Sequence, residues 1–461
     1  MVEKKEIDKK FVEETINEIL QIEDDDELIG RIKEFHAADI VRIIEEAPED
    51  KTETLLKNIR EEKLAKMIGK MEIDQKREVI ETLKEDKLIE ILDHMPTDEI
   101  VDLLGEVSIP KSKEILCLMK SDDARSVRTL MQYEESTAGS LMTTEYIAIK
   151  SHMNVEEALE KVKEIAPKTE VLDHLYIVDS KKNLVGALEL RELFTNDEDR
   201  LIEDIMNENV ISVEAHTDQE EVANTISKYD LLSIPVVNRF GKLVGIITVD
   251  DIIDVLKEEA TEDFLKISGS LEPEEEITDR NFLSRASELQ IFKARFPWLV
   301  IALFGGLLAG SVINLFRHSL QSVVILATFI PVIMAMGGNT GTQSSTIFIR
   351  TLTIEEITKK DFLKYVGREI KVGIMIGLSI GIGLGLVVFA WQGSTVLSGV
   401  VGLAIFLAIT VANIIGLMIP WTLNSLGFDP AAASNPLITT LQDVIGLSIY
   451  FIVAQIFLVS I

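Results

Sequence analysis

The last apolar stretch of the sequence, PLITTLQDVIGLSIYFIVAQIFLVSI, contains one carboxylate, Asp443. A charge at membrane depth is costly and is seldom kept without a task. Thr439 and Thr440 come just before it, and the segment opens at SNP, with Asn435 placed to cap a helix and Pro436 at its first position. At 1.5 Å per residue, Asp443 then lies about 10 Å along that helix. A carboxylate, hydroxyls and a carbonyl freed near a helix start make an all-oxygen lining suited to a hard cation that keeps its waters. A structural ion pair is the competing reading, yet the membrane half holds no basic residue well inside a span.

The second polar constellation is PVIMAMGGNTGTQSST, residues 331–346. Gly337, Gly338 and Gly341 are expected to loosen a helix bent at Pro331, and Asn339, Thr340, Thr342, Gln343, Ser344 and Ser345 follow in an otherwise apolar segment. Polar groups at that depth either line water or pack against protein. Both readings fit.

These segments belong to a membrane half. Residues 296–316, 318–349 and 372–428 contain no Asp, Glu, Lys or Arg, and a span needs roughly 20 apolar residues. Five spanning helices are expected at 297–317, 323–349, 368–391, 396–420 and 437–460. Arg350, Lys359, Lys360, Lys364, Arg368 and Lys371 crowd the connection after the second, which places that connection in the cytoplasm. The N-terminal half then lies inside and the C-terminus outside, in agreement with a start, MVEKKEIDKKF, that lacks the apolar run of a secretory signal. Gly373, Gly377, Gly381 and Gly385, every fourth residue, read as a helix-packing face.

Charge divides the chain at the same place. Residues 296–461 hold 7 basic and 6 acidic side chains, against 39 and 71 in residues 1–295. That balance excludes nucleic acid as a partner of the front half and favours cations. Seven carboxylates fall within 14 residues: Asp250, Asp251, Asp254, Glu258, Glu259, Glu262 and Asp263. Mg2+, which keeps several waters and uses one or two carboxylates per face, suits bridging two such faces. These seven are the sensor candidates. Six His and one Cys, Cys117, offer no zinc or catalytic spacing, so an enzyme is not expected.

The front half contains two repeats. IVRIIEEAPED, LAKMIGKMEID, LIEILDHMPTD and SKEILCLMKSD recur every 24 residues, aligning Ile44, Ile68, Leu92 and Leu116 as core and Asp50, Asp74, Asp98 and Asp122 in an acidic turn. Each copy reads as a short helix, and stacked copies give an all-helical superhelix over residues 1–133. The Met positions of the repeat read as core filling. From residue 136 to 258 a strand, helix, hairpin and helix pattern occurs twice, each copy opening on a Met and its hairpin turning at KKN or RFG. With LVGIITVDD after the second hairpin, this resembles a tandem pair of CBS domains. The resemblance implies adenosine nucleotide, ATP or a related one, held at the ribose by Thr248 and Asp251 as a regulator. The first copy reads LVGALELRE and lacks that Thr.

Taken together, GGNTGTQ, SNPLITTLQDVIG, TVDDIIDVLKEEATED and the order of helical repeats, CBS pair and five spans resemble MgtE-type magnesium channels over nearly the whole chain. The resemblance implies a multidomain α and α+β protein: N domain 1–133, CBS pair 136–258, a connecting plug helix 259–296 that contains NFLSRASELQIFKARF, and a membrane domain 297–461. It implies a homodimer in the lipid of a bacterial-type plasma membrane, conducting Mg2+ and closing when cytoplasmic Mg2+ is high. The cation site falls to Asp443 with Thr439 and Asn435, and the pore lining to Asn339, Gly337 and Gly338. A broader divalent transporter, or a sensor that transports nothing, are the alternatives.

Overall fold

The computed structural model describes residues 22, 30–32, 35–71, 73–169, 173–268, 287–354, 357–432 and 435–459, in two compact units, Met1–Leu256 and Lys257–Ile461. Each 24-residue repeat of the first unit holds two helices where the sequence suggested one. Helices α1 (Ala37–Glu46), α3 (Glu61–Lys70), α5 (Glu85–Leu92) and α7 (Ile109–Leu118) carry the apolar motif. Between them run α2 (Glu49–Asn58), α4 (Ile73–Thr82), α6 (Thr97–Glu106) and α8 (Ser121–Leu130). The repeat aspartates are therefore no turn. Asp50, Asp74, Asp98 and Asp122 are each the second residue of an even-numbered helix, where a negative charge meets the positive end of the helix dipole. Helices α2 and α4 escape a periodicity search because segments such as IDQKREVIET place few apolar residues on one face, whereas α6 and α8 do bury an apolar face through Ile100, Leu103 and Leu104 and through Val127 and Leu130. Ile68, Leu92, Met71 and Met95 are buried in one continuous core with Leu64, Met67 and Ile91, so the Met positions do fill core.

After the four-residue α9 (Ala138–Leu141), two small sheets follow. The first is β1 (Ala148–Lys150), β2 (His174–Val178) and β3 (Leu184–Glu189), with α10 (Val155–Ile165) and α11 (Leu190–Thr195). The second is β4 (Val213–Glu214), β5 (Ser233–Val237) and β6 (Leu243–Thr248), with α12 (Gln219–Tyr229) and α13 (Val249–Ser268). In both, a parallel pair is followed by an antiparallel hairpin. Lys182 (φ 68°) and Gly241 (φ 74°) turn those hairpins. The turns also tie the copies together: Leu184 N–H donates to the Gly241 carbonyl at 3.0 Å and Leu243 N–H to that of Lys182 at 3.1 Å. The methionines that open each copy are exchanged. Met142 packs on Gly245 and in the core of the second copy, whereas Met206 packs on Gly186 and in the core of the first.

Among the described residues of the second unit, five helical segments are long and apolar enough to cross a membrane. Helix α14 (Glu288–Leu315) leads, by way of α15 (Arg317–Ser322), to α16 (Ile330–Ile354), α17 (Lys359–Gln392), α18 (Thr395–Ser425) and α19 (Asn435–Ala454). The expected plug helix is not a separate element in what is described: residues 259–268 continue α13, 269–286 lie outside the described residues, and from Glu288 the chain is already in the first span. Helix α16 is likewise unbroken through GGNTG, with Pro331 at its second position, where proline is tolerated. The glycines of α17 form the expected packing face. At Gly377 and Gly381 a Cβ would stand 2.8 Å from the Phe406 carbonyl and 2.7 Å from that of Gly402, both on α18.

Candidate functional site

Helix α19 places Asn435, Thr439 and Asp443 four residues apart, and therefore on one stripe. Asp443 is half-buried. The Asn435 Oδ1 is buried with no hydrogen-bond partner among the described residues, an acceptor left without a donor. The Thr439 hydroxyl donates back to the carbonyls of Asn435 (2.8 Å) and Pro436 (3.2 Å), so its proton is engaged and its lone pairs face outward. Thr440 departs from expectation. It sits against Gly305 of α14, because one residue turns the side chain by about 100° around the helix.

On α16 the polar residues divide between two faces, and the buried face is a packing seam. Asn339 and Gln343 are exposed, while Thr340, Ser344 and Ser345 are buried. Ser344 Oγ donates to Glu369 Oε2 at 3.0 Å or to the Asn413 carbonyl at 3.1 Å, a seam joining α16 to α17 and α18. Gly337 and Gly338 lie buried beneath α19, where a Cβ on Gly338 would stand 3.4 Å from Thr439 Cγ2. Of the three expected lining residues, Asn339 alone is exposed.

All seven sensor candidates ride on α13. Asp251 accepts the Thr248 hydroxyl at 2.5 Å, and burial followed by the charges of Asp250 and Asp254 raises its pKa against that hydrogen bond. Asp251 also faces carboxylates that the sequence did not single out. Burial, with Asp251 adding to it, pushes Glu99 up to about 7 and Asp102 up to about 6, with Lys76 opposing. Glu145 is raised to about 7 by burial, helped by Asp123 and Glu99. No pattern in the sequence marks Glu99 or Asp102, since only the docking of α6 beside the start of α13 brings them together. Farther along α13, Lys266 pairs with Glu262 and, at 2.7 Å, with Asp429 of the connection before α19. Burial, then the Asp429 charge, raises Asp263. Among the described residues no group of three or more His, Cys, Asp or Glu stands close enough to hold a metal by itself.

The equivalent of Thr248 in the first CBS copy is Glu189, which forms a capping box with Glu192. That carboxylate is tied to its own helix start.

A family model for divalent cation transporters matches residues 330–453, one for the MgtE intracellular N domain matches 35–136, and the CBS domain matches 138–198 and 202–258. The magnesium transporter MgtE of Thermus thermophilus is 41% identical over 332 residues, 72% of each chain. That of Bacillus subtilis is 41% identical over 341 residues, 74% of each. A crystal structure of the cytosolic domain of the Mg2+ channel MgtE in complex with ATP aligns with TM-score 0.50 at 35% identity, covering 52% of this chain and 98% of that one. With the N domain, CBS pair and apolar helices in this order, and relatives of this identity over nearly three quarters of its length, the chain belongs to the MgtE family of magnesium transporters, multi-pass membrane proteins and not enzymes.

Proposed function

We propose that the protein is a Mg2+-selective channel that acts as a homodimer, admits Mg2+ down its electrochemical gradient and closes when cytoplasmic Mg2+ rises. The observation that carries this reading is the stripe Asn435, Thr439 and Asp443 on α19: one carboxylate, one hydroxyl and one carbonyl oxygen without a partner among the described residues, all in an apolar helix. The exposed pair Asn339 and Gln343 on α16 supports the dimer, because polar side chains on a span are costly against lipid and are met by water or by protein. Two copies around one axis give two Asp443 carboxylates, a charge of −2 that matches one hydrated divalent ion. A 100 mV inside-negative potential supplies about 4.6 kcal/mol per Mg2+, twice the single-charge value. No coupled energy source is required.

Closing needs a state that binds Mg2+ better than the open one. Glu99, Asp102 and Asp251 supply it: Asp251 raises the pKa of the other two, and a Mg2+ that keeps its own waters beside them relieves that charge without needing all three as ligands. Asp250, Asp254, Glu258, Glu259, Glu262 and Asp263 extend the acidic face along α13, and the segment from 269 into α14 passes the signal to the pore mouth. The Lys266–Asp429 pair and the basic connection 350–371 support a cytoplasmic N-terminus and an outside C-terminus in the plasma membrane. Adenosine nucleotide, ATP in the related cytosolic domain, binds at Thr248 and Asp251 and regulates.

Flux into liposomes tests the reading. The purified protein admits Mg2+ when internal Mg2+ is low and stops as it rises, with Ca2+ excluded. Equal permeation of Ca2+, Mn2+ or Co2+ would establish the broader divalent transporter, which carboxylate and hydroxyl oxygens also allow.

A further inference from the structure

Gln442 precedes Asp443 on α19 and points into protein. Its side chain is 2% exposed, and its Nε2 donates to the Ala412 carbonyl of α18 at 3.0 Å. The amide fits only because two other helices give way. A Cβ on Gly341 of α16 would stand 2.7 Å from Gln442 Nε2 and 3.0 Å from its Cδ, and a Cβ on Gly416 of α18 would run into the Gly341 carbonyl. Helices α16, α18 and α19 therefore meet at Gly341, Gly416 and Gln442.

We infer that Gln442 is a positioning residue for the cation site: its amide, clamped between α16 and α18, fixes the rotation of α19 and with it the direction in which Asp443 presents its carboxylate to the ion. The inference rests on the reading of Asp443 as the ion ligand. Adjacent residues on a helix differ by about 100° in direction, so a side chain locked into protein at 442 sets the azimuth at 443. The lock is a hydrogen bond in a medium without competing water, where an unmade bond is costly to the amide. A divalent ion bound through its waters tolerates small displacements of carboxylates poorly, since Mg2+ demands near-ideal octahedral geometry. The azimuth thus bears on affinity and selectivity as well as on stability.

The experiment compares Gln442→Met, which keeps length and apolar fit but has no amide, with the wild type in Mg2+ and Ca2+ flux into liposomes. Thermal stability and oligomeric state of the same detergent-solubilised preparations are followed alongside. Gln442→Met is expected to raise the half-saturating Mg2+ concentration by about tenfold and to narrow the Mg2+ over Ca2+ preference while remaining folded. In the Asp443→Asn background, binding of Mg2+ measured by calorimetry should no longer respond to Gln442→Met. A Gln442→Met channel with unchanged half-saturation and selectivity, whether or not its stability or maximal rate falls, overturns the inference and leaves the Asp443 reading standing. An Asp443→Asn channel that conducts normally removes both.

Discussion

Carboxylates in the two units meet burial in different ways. In the first unit Glu99, Asp102 and Asp251 share one region, where burial and then the Asp251 charge raise the pKa of Glu99 and Asp102, with Lys76 opposing. In the second, Asp443 is the sole carboxylate of α19 and shares a stripe with Asn435, whose Oδ1 has no hydrogen-bond partner among the described residues. Acids crowded at a partly covered seam carry a charge that a cation or protons relieve, which suits the sensor proposed for them. A solitary acid among neutral oxygens makes a site that attracts a cation without trapping it, which suits a path. Under the proposed function, the same side-chain chemistry serves regulation or conduction according to how many charges share the space.

The largest effect expected from breaking this contrast is at Asp443. Asp443→Asn keeps the shape and the hydrogen bonding to water but removes the charge where screening is weak, so Mg2+ flux into liposomes should fall to that of empty vesicles while the protein remains dimeric by gel filtration. Wild-type flux from the Asn variant would show that the carboxylate is not the ion site. Removing residues 1–260 attacks the other side of the comparison. The truncated channel should conduct at a rate close to that of the full chain yet fail to close as Mg2+ rises, and closure at the same Mg2+ concentration would place the sensor elsewhere.

A smaller, graded effect follows from the raised value of Glu99, about 7, to which the solvent-exposed Asp102, about 6, adds less. Their ordinary values of 4.5 and 3.8 apply when the chain is unfolded. Between roughly pH 4 and 7 the folded unit therefore holds more protons than the unfolded one, and its stability falls as pH rises. Calorimetry of the full chain without Mg2+ should show the transition of the first unit at least about 3 °C lower at pH 7.5 than at pH 5.5. Glu99→Gln should flatten that dependence, and added Mg2+ should reverse it at pH 7.5. A transition indifferent to both would mean that these acids share no cation. The smallest change expected is at Thr248. Thr248→Ala removes the hydroxyl that holds Asp251 and should weaken ATP binding by about tenfold, roughly 1.4 kcal/mol, in a titration. Unaltered affinity would move the nucleotide elsewhere.

Much of this organisation is determined by the sequence alone. Charge-free runs longer than a bilayer is thick define the spans, because water and lipid sort residues by transfer energy before any packing occurs. A lone Asp443 in such a run is legible for the same reason. The 24-residue period is legible as well, since a stacked repeat must present apolar residues at equivalent places, as Ile68 and Leu92 do. What tertiary structure decided is which neighbour each side chain meets. Helices α2 and α4 of the repeat carry few apolar residues, so their existence depends on packing against their neighbours. Met142 and Met206 exchange copies because strand pairing across the two sheets, Thr143 with Ile246 and Asn207 with Ala187, pulls each opening segment onto its twin. The face chosen by each polar residue of GGNTGTQ, the junction of Gly341, Gly416 and Gln442, and the gathering of Glu99, Asp102 and Asp251 all join segments far apart in the chain. Periodicity carries information over a few helical turns, and contacts of that range are settled only when the backbones have docked.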